Sequence, residues 1–239
     1  MSMTYGSAKI IRASADIGYD GINTVVFDLD GTIVRNGSWT TLFKEVGASD
    51  EHADLFRRYM AGEFESYMEW SDEACDVLRT KGLTKDLFYK VINGAPLTAG
   101  AEYVCKSIKL RGYKTGMITG GFEAMAQRIK NKFGMDFYAA ACCDVRFNND
   151  GSFMGWSLNE CDYDGKAERL RALSKAYDFR PDMCAYVGDG EGDVAIMKEV
   201  ALPIAFNPKT EKVRKAAKVI VESSDLRKIM KYFPPITIY

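Results

Sequence analysis

Histidine and paired cysteines are scarce in this chain, and charge of neither sign is in clear excess. The 239 residues include one histidine, six cysteines and six prolines, and the formal net charge is −1. Because zinc sites are built from histidines and spaced cysteine pairs, a single histidine without a C-x-x-C pair speaks against one. We expect the cysteines to be reduced and mostly buried. We expect the histidine, His52, to be a solvated residue on a helix.

Signals for a membrane, for secretion and for a nucleic acid are also missing. No run of 18 apolar residues occurs, and the first 20 residues lack a signal-peptide pattern. Because charge is balanced, composition gives no reason to expect a nucleic acid or an anionic membrane as a partner. We therefore expect a cytoplasmic protein, and nothing in the sequence indicates an oligomeric state.

Short apolar runs alternate with amphipathic helical stretches along most of the chain. Continuous apolar strands between helices are typical of a parallel sheet that is covered on both faces. We therefore predict an α/β fold with a three-layer, Rossmann-like parallel sheet. The Asn148–Gly151 segment, between two strand-like runs, predicts a hairpin. The predicted buried strands are 25–29, 114–118, 139–145, 183–187, 203–206 and 219–222.

One interval interrupts this alternation. Asp28 and Thr119 each lie at the end of a predicted strand, but they are much farther apart than the roughly 30 residues that a strand–helix–strand unit needs. We predict a small all-helical domain over 36–95, inserted into a core made of 1–35 and 96–239. Helical patterns cover 38–46, 50–60, 66–79 and 85–92, and glycines separate them.

Four polar clusters follow predicted strands or begin a predicted helix. Asp28 and Asp30 end the first strand, and residues two apart on a strand point to one face. A glycine-rich turn before a helix suits phosphate, and carboxylates on a flexible loop suit Mg²⁺. Asp164 is the expected N-cap of the helix that carries Lys166. The other three clusters are Thr119-Gly120-Gly121, Asp164-Gly165-Lys166 and the run from Gly188 to Asp193.

The carboxylates of these clusters need compensation if they meet at one edge of the sheet. Asp28, Asp30, Asp189 and Asp193 would gather about four negative charges, and a phosphate adds roughly two more. A divalent cation and Lys166 would offset much of this charge, and one carboxyl could stay protonated as an acid. The residues alone therefore indicate Mg²⁺-assisted phosphoryl transfer, with a carboxylate as nucleophile or metal ligand.

The same segments resemble, in sequence and in order, the four motifs of the haloacid dehalogenase superfamily. They read FDLDGT (27–32), ITGG (118–121), DGK (164–166) and GDGEGD (188–193). The helical insertion after the first motif resembles the C1-type cap of the phosphoserine-phosphatase-like branch. The resemblance implies a Mg²⁺-dependent phosphatase that acts on a small phosphorylated metabolite through a phospho-aspartate.

The resemblance also implies a role for each motif residue. Asp28 is the expected nucleophile, and Asp30 the expected general acid–base, whose presence speaks against a dehalogenase. Thr119 and the Gly120 N–H would bind the phosphate, and Lys166 would hold the nucleophile and the phosphoryl oxygens. The expected metal ligands and their support are Asp28, the Asp30 carbonyl, Asp189 and Asp193.

Three positions depart from the phosphoserine-phosphatase pattern. Gly192 replaces an asparagine of the fourth motif. Gly37 stands where that branch has a glutamate for the substrate ammonium, and Glu73 falls near the place of an arginine for the substrate carboxylate. Gly37 and Glu73 disfavour phosphoserine without excluding it, and a sugar phosphate, a nucleotide or another small ester is equally open. The candidates to line a cap pocket for such an ester are Trp39, Tyr67 and Trp70.

Two other functions stay open at this point. The same motifs would serve a phosphotransferase in which an alcohol, rather than water, accepts the phosphoryl group. Product analysis with added alcohols separates the two activities. A catalytically silent binding protein on this fold is the other alternative. The intact Asp28, Asp30, Lys166 and Asp189 argue against it.

Overall fold

A seven-stranded sheet forms the centre of the computed structural model, which describes residues 9–10, 21–159 and 164–237. The strand order in the sheet is β5–β4–β3–β2–β6–β7–β8, while β1 pairs with β9 in a separate ribbon. β5 runs antiparallel to β4, and the other neighbours in the sheet are parallel. The strands are β1 (Lys9–Ile10), β2 (Thr24–Phe27), β3 (Lys114–Phe122), β4 (Phe137–Phe147), β5 (Phe153–Leu158), β6 (Cys184–Gly188), β7 (Leu202–Phe206), β8 (Val219–Val221) and β9 (Ile236–Thr237).

Helices connect these strands, and most of them lie in one insertion. α1–α5 lie between β2 and β3, which confirms the predicted helical insertion, whereas the boundaries at 36 and 95 stay a prediction. The helices are α1 (Ser38–Glu45), α2 (Ser49–Met60), α3 (Tyr67–Thr80), α4 (Lys85–Gly94), α5 (Ala101–Leu110), α6 (Glu123–Phe133), α7 (Asp164–Ala176), α8 (Val194–Met197) and α9 (Glu211–Ala216).

The middle of the sheet is buried on both faces. Every residue of β2, β6 and β7 is buried. Because successive side chains of a strand point to opposite faces, burial of all of them requires cover on both sides of the sheet. Each large apolar side chain buried in this way contributes about 1.5–3 kcal/mol of transfer free energy. The continuous apolar runs in the sequence therefore mark the central strands, as predicted.

The strand order creates a switch point beside β2. From β2 the chain passes to β3 and β4 on one side of the sheet and later returns to β6, β7 and β8 on the other. Loops that leave β3 and β6 therefore run in opposite directions, which opens a crevice at the carboxyl ends of the strands. The loops after β2, β3, β6 and β7 meet at this edge, and they carry most of the polar clusters.

The end of β3 differs from its predicted form. The strand continues through both glycines to Phe122, with an irregular register against β4 after Thr119, and α6 begins only at Glu123. A helix does follow the glycines as predicted, but the strand extends past its predicted end at residue 118 and includes both glycines. Gly120 and Gly121 belong to the bulged end of β3. The capping role predicted for Asp164 concerns a side chain outside the described residues.

The cysteines behave as the composition suggests. Cys75, Cys105, Cys142 and Cys184 are buried free thiols, and Cys143 is a partly buried one. Cys161 lies outside the described residues. A helix long and apolar enough to cross a membrane is absent from the part of the chain that the structure describes.

Candidate active site

Three carboxylates meet where β2 and β6 end. Asp28 directly follows β2, and Asp189 and Asp193 lie in the loop between β6 and α8. All three are buried, and one oxygen from each lies within 4.8 Å of the others. Carboxylates this close repel one another unless cations lie among them. Their oxygen donors fit a hard divalent cation.

Lys166, in the first turn of α7, lies between two of these carboxylates. Its Nζ is 2.7 Å from Asp28 Oδ1 and 2.7 Å from Asp193 Oδ1. The lysine side chain is 5% exposed, so both ion pairs are out of contact with water. Removing one member of such a pair leaves an uncompensated buried charge. The fold therefore brings Lys166 to the nucleophile candidate from a distant part of the sequence.

Asp193 has the most hydrogen-bond donors of the three buried carboxylates. Besides Lys166, it accepts hydrogen bonds from Tyr186 Oη (2.7 Å) and from the backbone N–H groups of Asp189 (2.9 Å) and Gly190 (3.0 Å). Burial alone would raise the pKa of Asp193, but Lys166 and these donors hold it below its usual range. Asp193 thus fixes Lys166 and the loop after β6, and it makes no side-chain cap for α8.

Asp28 and Asp189 are in a different electrostatic position. Burial raises the pKa of Asp28 well above its usual range, although Lys166 opposes that shift. Burial also raises the pKa of Asp189 to about 6, with Lys209 opposing it. Lys209 Nζ lies 2.8 Å from Asp189 Oδ2. Both aspartates favour added positive charge, which agrees with the fit of the site to a divalent cation.

Lys209 and Tyr186 were missed by the sequence analysis. Lys209 follows β7, which is the neighbour of β6 in the sheet, and its backbone N–H donates to the Asp189 carbonyl (2.9 Å). Lys209 could have been predicted from the strand at 203–206, because the carboxyl end of that strand lies at the same edge of the sheet as Asp28 and Asp189. Tyr186 is a phenol inside an apolar strand, and a buried phenol needs a hydrogen-bond partner.

Asp30 turns away from the carboxylate group and toward α1. Its Oδ1 accepts from the Ser38 N–H (2.9 Å), and its Oδ2 accepts from Ser38 Oγ (2.7 Å). Burial raises the pKa of Asp30, while the bonds from Ser38 lower it. A Cβ on Gly121 would lie 2.6 Å from Asp30 Oδ2 and 2.8 Å from Ser38 Oγ, so only glycine leaves room for this pair. The first residue of the insertion's first helix thus holds the acid–base candidate.

The phosphate-binding candidates lie beside this pair. Thr119 is buried, and its Oγ1 accepts from the Gly121 N–H (3.0 Å). The Gly120 carbonyl accepts from the Tyr67 hydroxyl and from Trp39 Nε1 (3.4 Å). Two aromatic side chains of the insertion are therefore fastened to the loop that is expected to bind the phosphate.

One cavity of about 450 Å³ joins all of these groups. It is lined from the sheet edge by the predicted catalytic, phosphate-binding and metal-binding residues, together with Lys209. It is lined from the insertion by the three predicted pocket residues. The predicted residues brought together in this cavity are Asp28, Asp30, Thr119, Gly120, Lys166, Asp189, Asp193, Trp39, Tyr67 and Trp70.

The pocket aromatics are both part of the hydrophobic core and part of the cavity wall. Trp39 meets Trp70 edge-on with ring centroids 4.9 Å apart, and Tyr67 stacks on Trp70 at 5.3 Å. Trp39 also packs on Phe122, at the end of β3, at 4.8 Å. These ring contacts tie the insertion to the sheet edge.

His52 is not the solvated residue that the sequence analysis expects. It lines the cavity, is only partly exposed, and packs on the Phe43 ring at 4.8 Å. Burial lowers its pKa, so the imidazole is neutral at pH 7. The same inner face of α2 carries the buried Leu55, three residues on. The sequence analysis missed this face because charged residues surround His52 in the sequence.

The positions that depart from the phosphoserine-phosphatase pattern fall in two places. Gly37 and Gly192 line the cavity. Glu73 instead pairs with Arg58 on the outside of the insertion, with an N–O distance of 3.0 Å, and Arg57 pairs with Asp54 at 2.6 Å. Neither arginine is among the residues that line the cavity.

Comparisons with known proteins agree with this geometry. The haloacid dehalogenase-like hydrolase family matches residues 22–200. The phosphoserine phosphatase of Methanocaldococcus jannaschii is 30% identical over 209 residues, which cover 87% of this chain and 96% of that protein. A substrate-bound phosphoserine phosphatase complex has a TM-score of 0.75 at 26% identity, covering 88% of this chain and 98% of the other.

A second solved structure is a phospho-aspartyl intermediate analogue of phosphoserine phosphatase. It has a TM-score of 0.75 at 27% identity and covers 88% of this chain and 98% of its own. Over most of its length, then, this chain shares both sequence and fold with enzymes of one family. The chain belongs to the haloacid dehalogenase-like hydrolases, and these relatives are phosphoserine phosphatases.

Proposed function

We propose that this phosphatase uses Mg²⁺ to hydrolyse a small phosphomonoester and that Asp28 carries the phosphoryl group between two chemical steps. The observation that supports this most is the pair of buried ion pairs at Lys166, which holds Asp28 at the inner end of the cavity. A structural ion pair alone would need neither the glycine loop nor Asp30 beside it. Relatives that include a phospho-aspartyl intermediate analogue support the same route.

In the first step, an Asp28 carboxylate oxygen attacks the phosphorus of the ester. The bond from phosphorus to the leaving oxygen breaks, and Asp30 gives that oxygen a proton, so the alcohol departs neutral. Ser38 orients the Asp30 carboxyl for this transfer. Lys166, Thr119 and the N–H groups of the glycine loop stabilise the negative charge on the phosphoryl oxygens.

In the second step, water attacks the phosphorus of phospho-Asp28. Asp30, now a carboxylate, takes a proton from that water while the bond from phosphorus to the Asp28 oxygen breaks. Inorganic phosphate leaves, and both aspartates return to their starting states. The aromatic insertion excludes bulk water from the cavity while this occurs.

The residues that would hold Mg²⁺ are Asp28, Asp189 and the Asp30 carbonyl, with Asp193 in support. When bound, the ion supplies positive charge to the carboxylates and the phosphoryl oxygens. We propose residues 36–95 as the boundaries of the cap domain and 1–35 with 96–239 as the core. The unpaired cysteines support a reducing, cytoplasmic location.

Phosphate release from a panel of esters with Mg²⁺ tests this function. The panel includes L-phosphoserine and p-nitrophenyl phosphate. We expect turnover by the wild type and a loss of about 10⁴-fold or more in Asp28→Asn, because the nucleophile is gone. Asp182→Asn is the matched control, since Asp182 is 62% exposed and pairs with Arg180 on the surface. Full activity in Asp28→Asn would contradict the assignment.

A further inference from the structure

The two sides of the cavity differ completely in charge. We call the lining residues from the sheet edge the core half, and those from residues 36–95 the cap half. The core half carries Asp, Glu and Lys side chains, whereas the cap half has no Asp, Glu, Lys or Arg among its described lining residues. Most of the cap half consists of aromatic rings, which belong to Trp39, Phe56, Tyr59, Tyr67 and Trp70.

The insertion does contain charged residues, and several of them pair with one another and do not line the cavity. Arg58 pairs with Glu73 and with Glu63, and Arg57 pairs with Asp54. The two lysines that line the core half are each in contact with carboxylates of the sheet edge. A charged substituent on a leaving group inside the cap half would therefore lose water without gaining an ionic partner, which is strongly unfavourable.

The rings also lie where the leaving group must be. The Tyr67 hydroxyl and Trp39 Nε1 both donate to the Gly120 carbonyl, so these rings border the predicted phosphate loop. Tyr67 stacks on Trp70 with an interplanar angle of 28°. An aromatic ring of a ligand gains additional stabilisation from such offset and edge contacts.

Two apolar residues at the cavity are about half exposed to water. Phe56 is 53% exposed and Met60 is 43% exposed, and both line the cap half. Burial of apolar surface like this by a ligand is favourable, at about 25 cal/mol per Å². Large exposed apolar groups beside a catalytic cavity are typical of a ligand-binding surface.

We propose that the substrate is a phosphomonoester whose leaving group is uncharged and carries an apolar ring that packs in the cap half. This inference rests on the proposed phosphatase activity and narrows its substrate class. Zwitterionic leaving groups such as serine are poor substrates, because the cap half offers neither an anion nor a cation to them.

Benzyl phosphate, ethyl phosphate and L-phosphoserine test the proposal directly. All three are phosphate esters of primary alcohols. Differences in kcat/KM among them therefore depend more on how the leaving group fits the cavity than on its intrinsic reactivity. We expect kcat/KM for benzyl phosphate to exceed that for L-phosphoserine by about 100-fold or more. Equal or better turnover of L-phosphoserine would overturn the substrate class and leave the phosphatase function intact. If the folded enzyme turns over none of these esters or the wider panel, the phosphatase function itself fails, and the substrate proposal fails with it.

Variants of the exposed apolar residues add an independent test. We expect Phe56→Ala and Met60→Ala to raise KM for benzyl phosphate about three- to tenfold, and to raise KM for ethyl phosphate, which has no ring to bury, by a smaller factor. Met68→Ala is the matched control, because Met68 is 39% exposed in the same insertion and does not line the cavity. The proposal is overturned if Met60→Ala and Met68→Ala behave alike toward benzyl phosphate.

A variant that adds a positive charge to the cap half provides a third test. Phe56→Arg places a cation where the cap half has none. We expect its ratio of kcat/KM for L-phosphoserine over benzyl phosphate to rise at least about tenfold, since the substrate carboxylate then has a partner. An unchanged ratio in a folded, active Phe56→Arg would show that this wall does not contact the leaving group, and would overturn the proposal.

Discussion

The core half and the cap half of the cavity differ in the interactions that hold them together, which are ion pairs in the first and aromatic packing in the second. In the core half, buried carboxylates surround Lys166, and each charge has a partner within hydrogen-bond distance. In the cap half, aromatic rings pack against one another and against Phe122 at the end of β3. The two halves touch at the Gly120 carbonyl, which accepts hydrogen bonds from both Trp39 and Tyr67.

This contrast separates the chemical step from the choice of substrate. Phosphoryl transfer requires the same charges for any ester, and those charges come from the sheet edge. Under our proposal, recognition of the leaving group depends on the cap half, where burial of apolar surface rather than ion pairing supplies the binding energy. A change in the core half should therefore affect every substrate alike, and a change in the cap half should affect substrates selectively.

Lys166→Met removes both buried ion pairs of the core half, and we expect it to have the largest combined effect on stability and activity. It leaves Asp28 and Asp193 buried without their shared cation, which costs about 3–5 kcal/mol of unfolding free energy. We expect phosphate release to fall about 10²- to 10³-fold for every ester, because the positive charge that stabilises the transferring phosphoryl group is also lost. Denaturant unfolding at pH 7 and phosphate release measure the two effects.

Lys212→Met is the control for a charge lost at the surface. Lys212 is 60% exposed and pairs with Glu191 at 3.3 Å. Such exposed pairs contribute about 0–1 kcal/mol, so this variant should unfold almost as the wild type does. If Lys166→Met were as stable as Lys212→Met, Lys166 would not hold the buried carboxylates as the structure indicates.

A divalent cation should strengthen the core half without touching the cap half. The buried oxygens of Asp28, Asp189 and Asp193 lie within 4.8 Å of one another. Binding of Mg²⁺ to the folded state at a hundred times its Kd would raise Tm by about 5–10 °C. Thermal unfolding with MgCl₂, and then with excess EDTA, measures this shift. Sodium chloride at equal ionic strength should not reproduce it, and neither should MgCl₂ with Asp189→Asn.

Ser38→Ala tests the contact between the insertion and the acid–base candidate. It removes the hydroxyl that donates to Asp30 Oδ2 and leaves the backbone N–H bond in place. We expect kcat to fall about tenfold for charged and uncharged esters alike, since Asp30 is less well oriented. Ser49→Ala, at the exposed start of α2, should have no such effect. A loss confined to one substrate would place Ser38 in the leaving-group pocket instead.

Most of the core half was predictable from the sequence, because its residues lie close to strand ends that can be recognised locally. Asp28 and Asp189 each follow directly after an apolar strand, and Asp30 lies two residues beyond Asp28, so the parallel sheet brings all three to one edge. Lys209 was missed because no motif marks it, and two residues separate it from the end of β7. Tyr186 was missed because its partner, Asp193, becomes apparent only when the loop after β6 folds back.

The cap half was predictable in composition but not in arrangement. Trp39, Tyr67 and Trp70 were candidates because they are aromatic residues of the predicted cap that could line a pocket for an ester other than phosphoserine. Their meeting place depends on how α1 and α3 pack, which no pattern in a single helix determines. His52 shows the same limit, since its burial comes from contact with Phe43 on the preceding helix rather than from its neighbours in sequence.

The smallest expected effect concerns whether the cap half stays uncharged when the pH falls. Burial lowers the pKa of His52 in the folded protein, so the unfolded chain binds the proton more readily. Stability from this residue is therefore complete above the unfolded pKa of about 6.5 and is lost as the pH falls below it. Between pH 7.5 and 5.5, Tm should fall about 1–3 °C more in the wild type than in His52→Gln.

Because His52 is the chain's one histidine, the difference between the two curves isolates its titration from that of the carboxylates. Parallel curves would mean that the imidazole keeps its solution pKa and that water reaches the cap half. A wild type that gains stability on acidification, relative to His52→Gln, would mean that an anion faces His52. In either case the cap half could hold charge. The contrast between the two halves, and with it the exclusion of charged leaving groups, would then no longer hold at low pH.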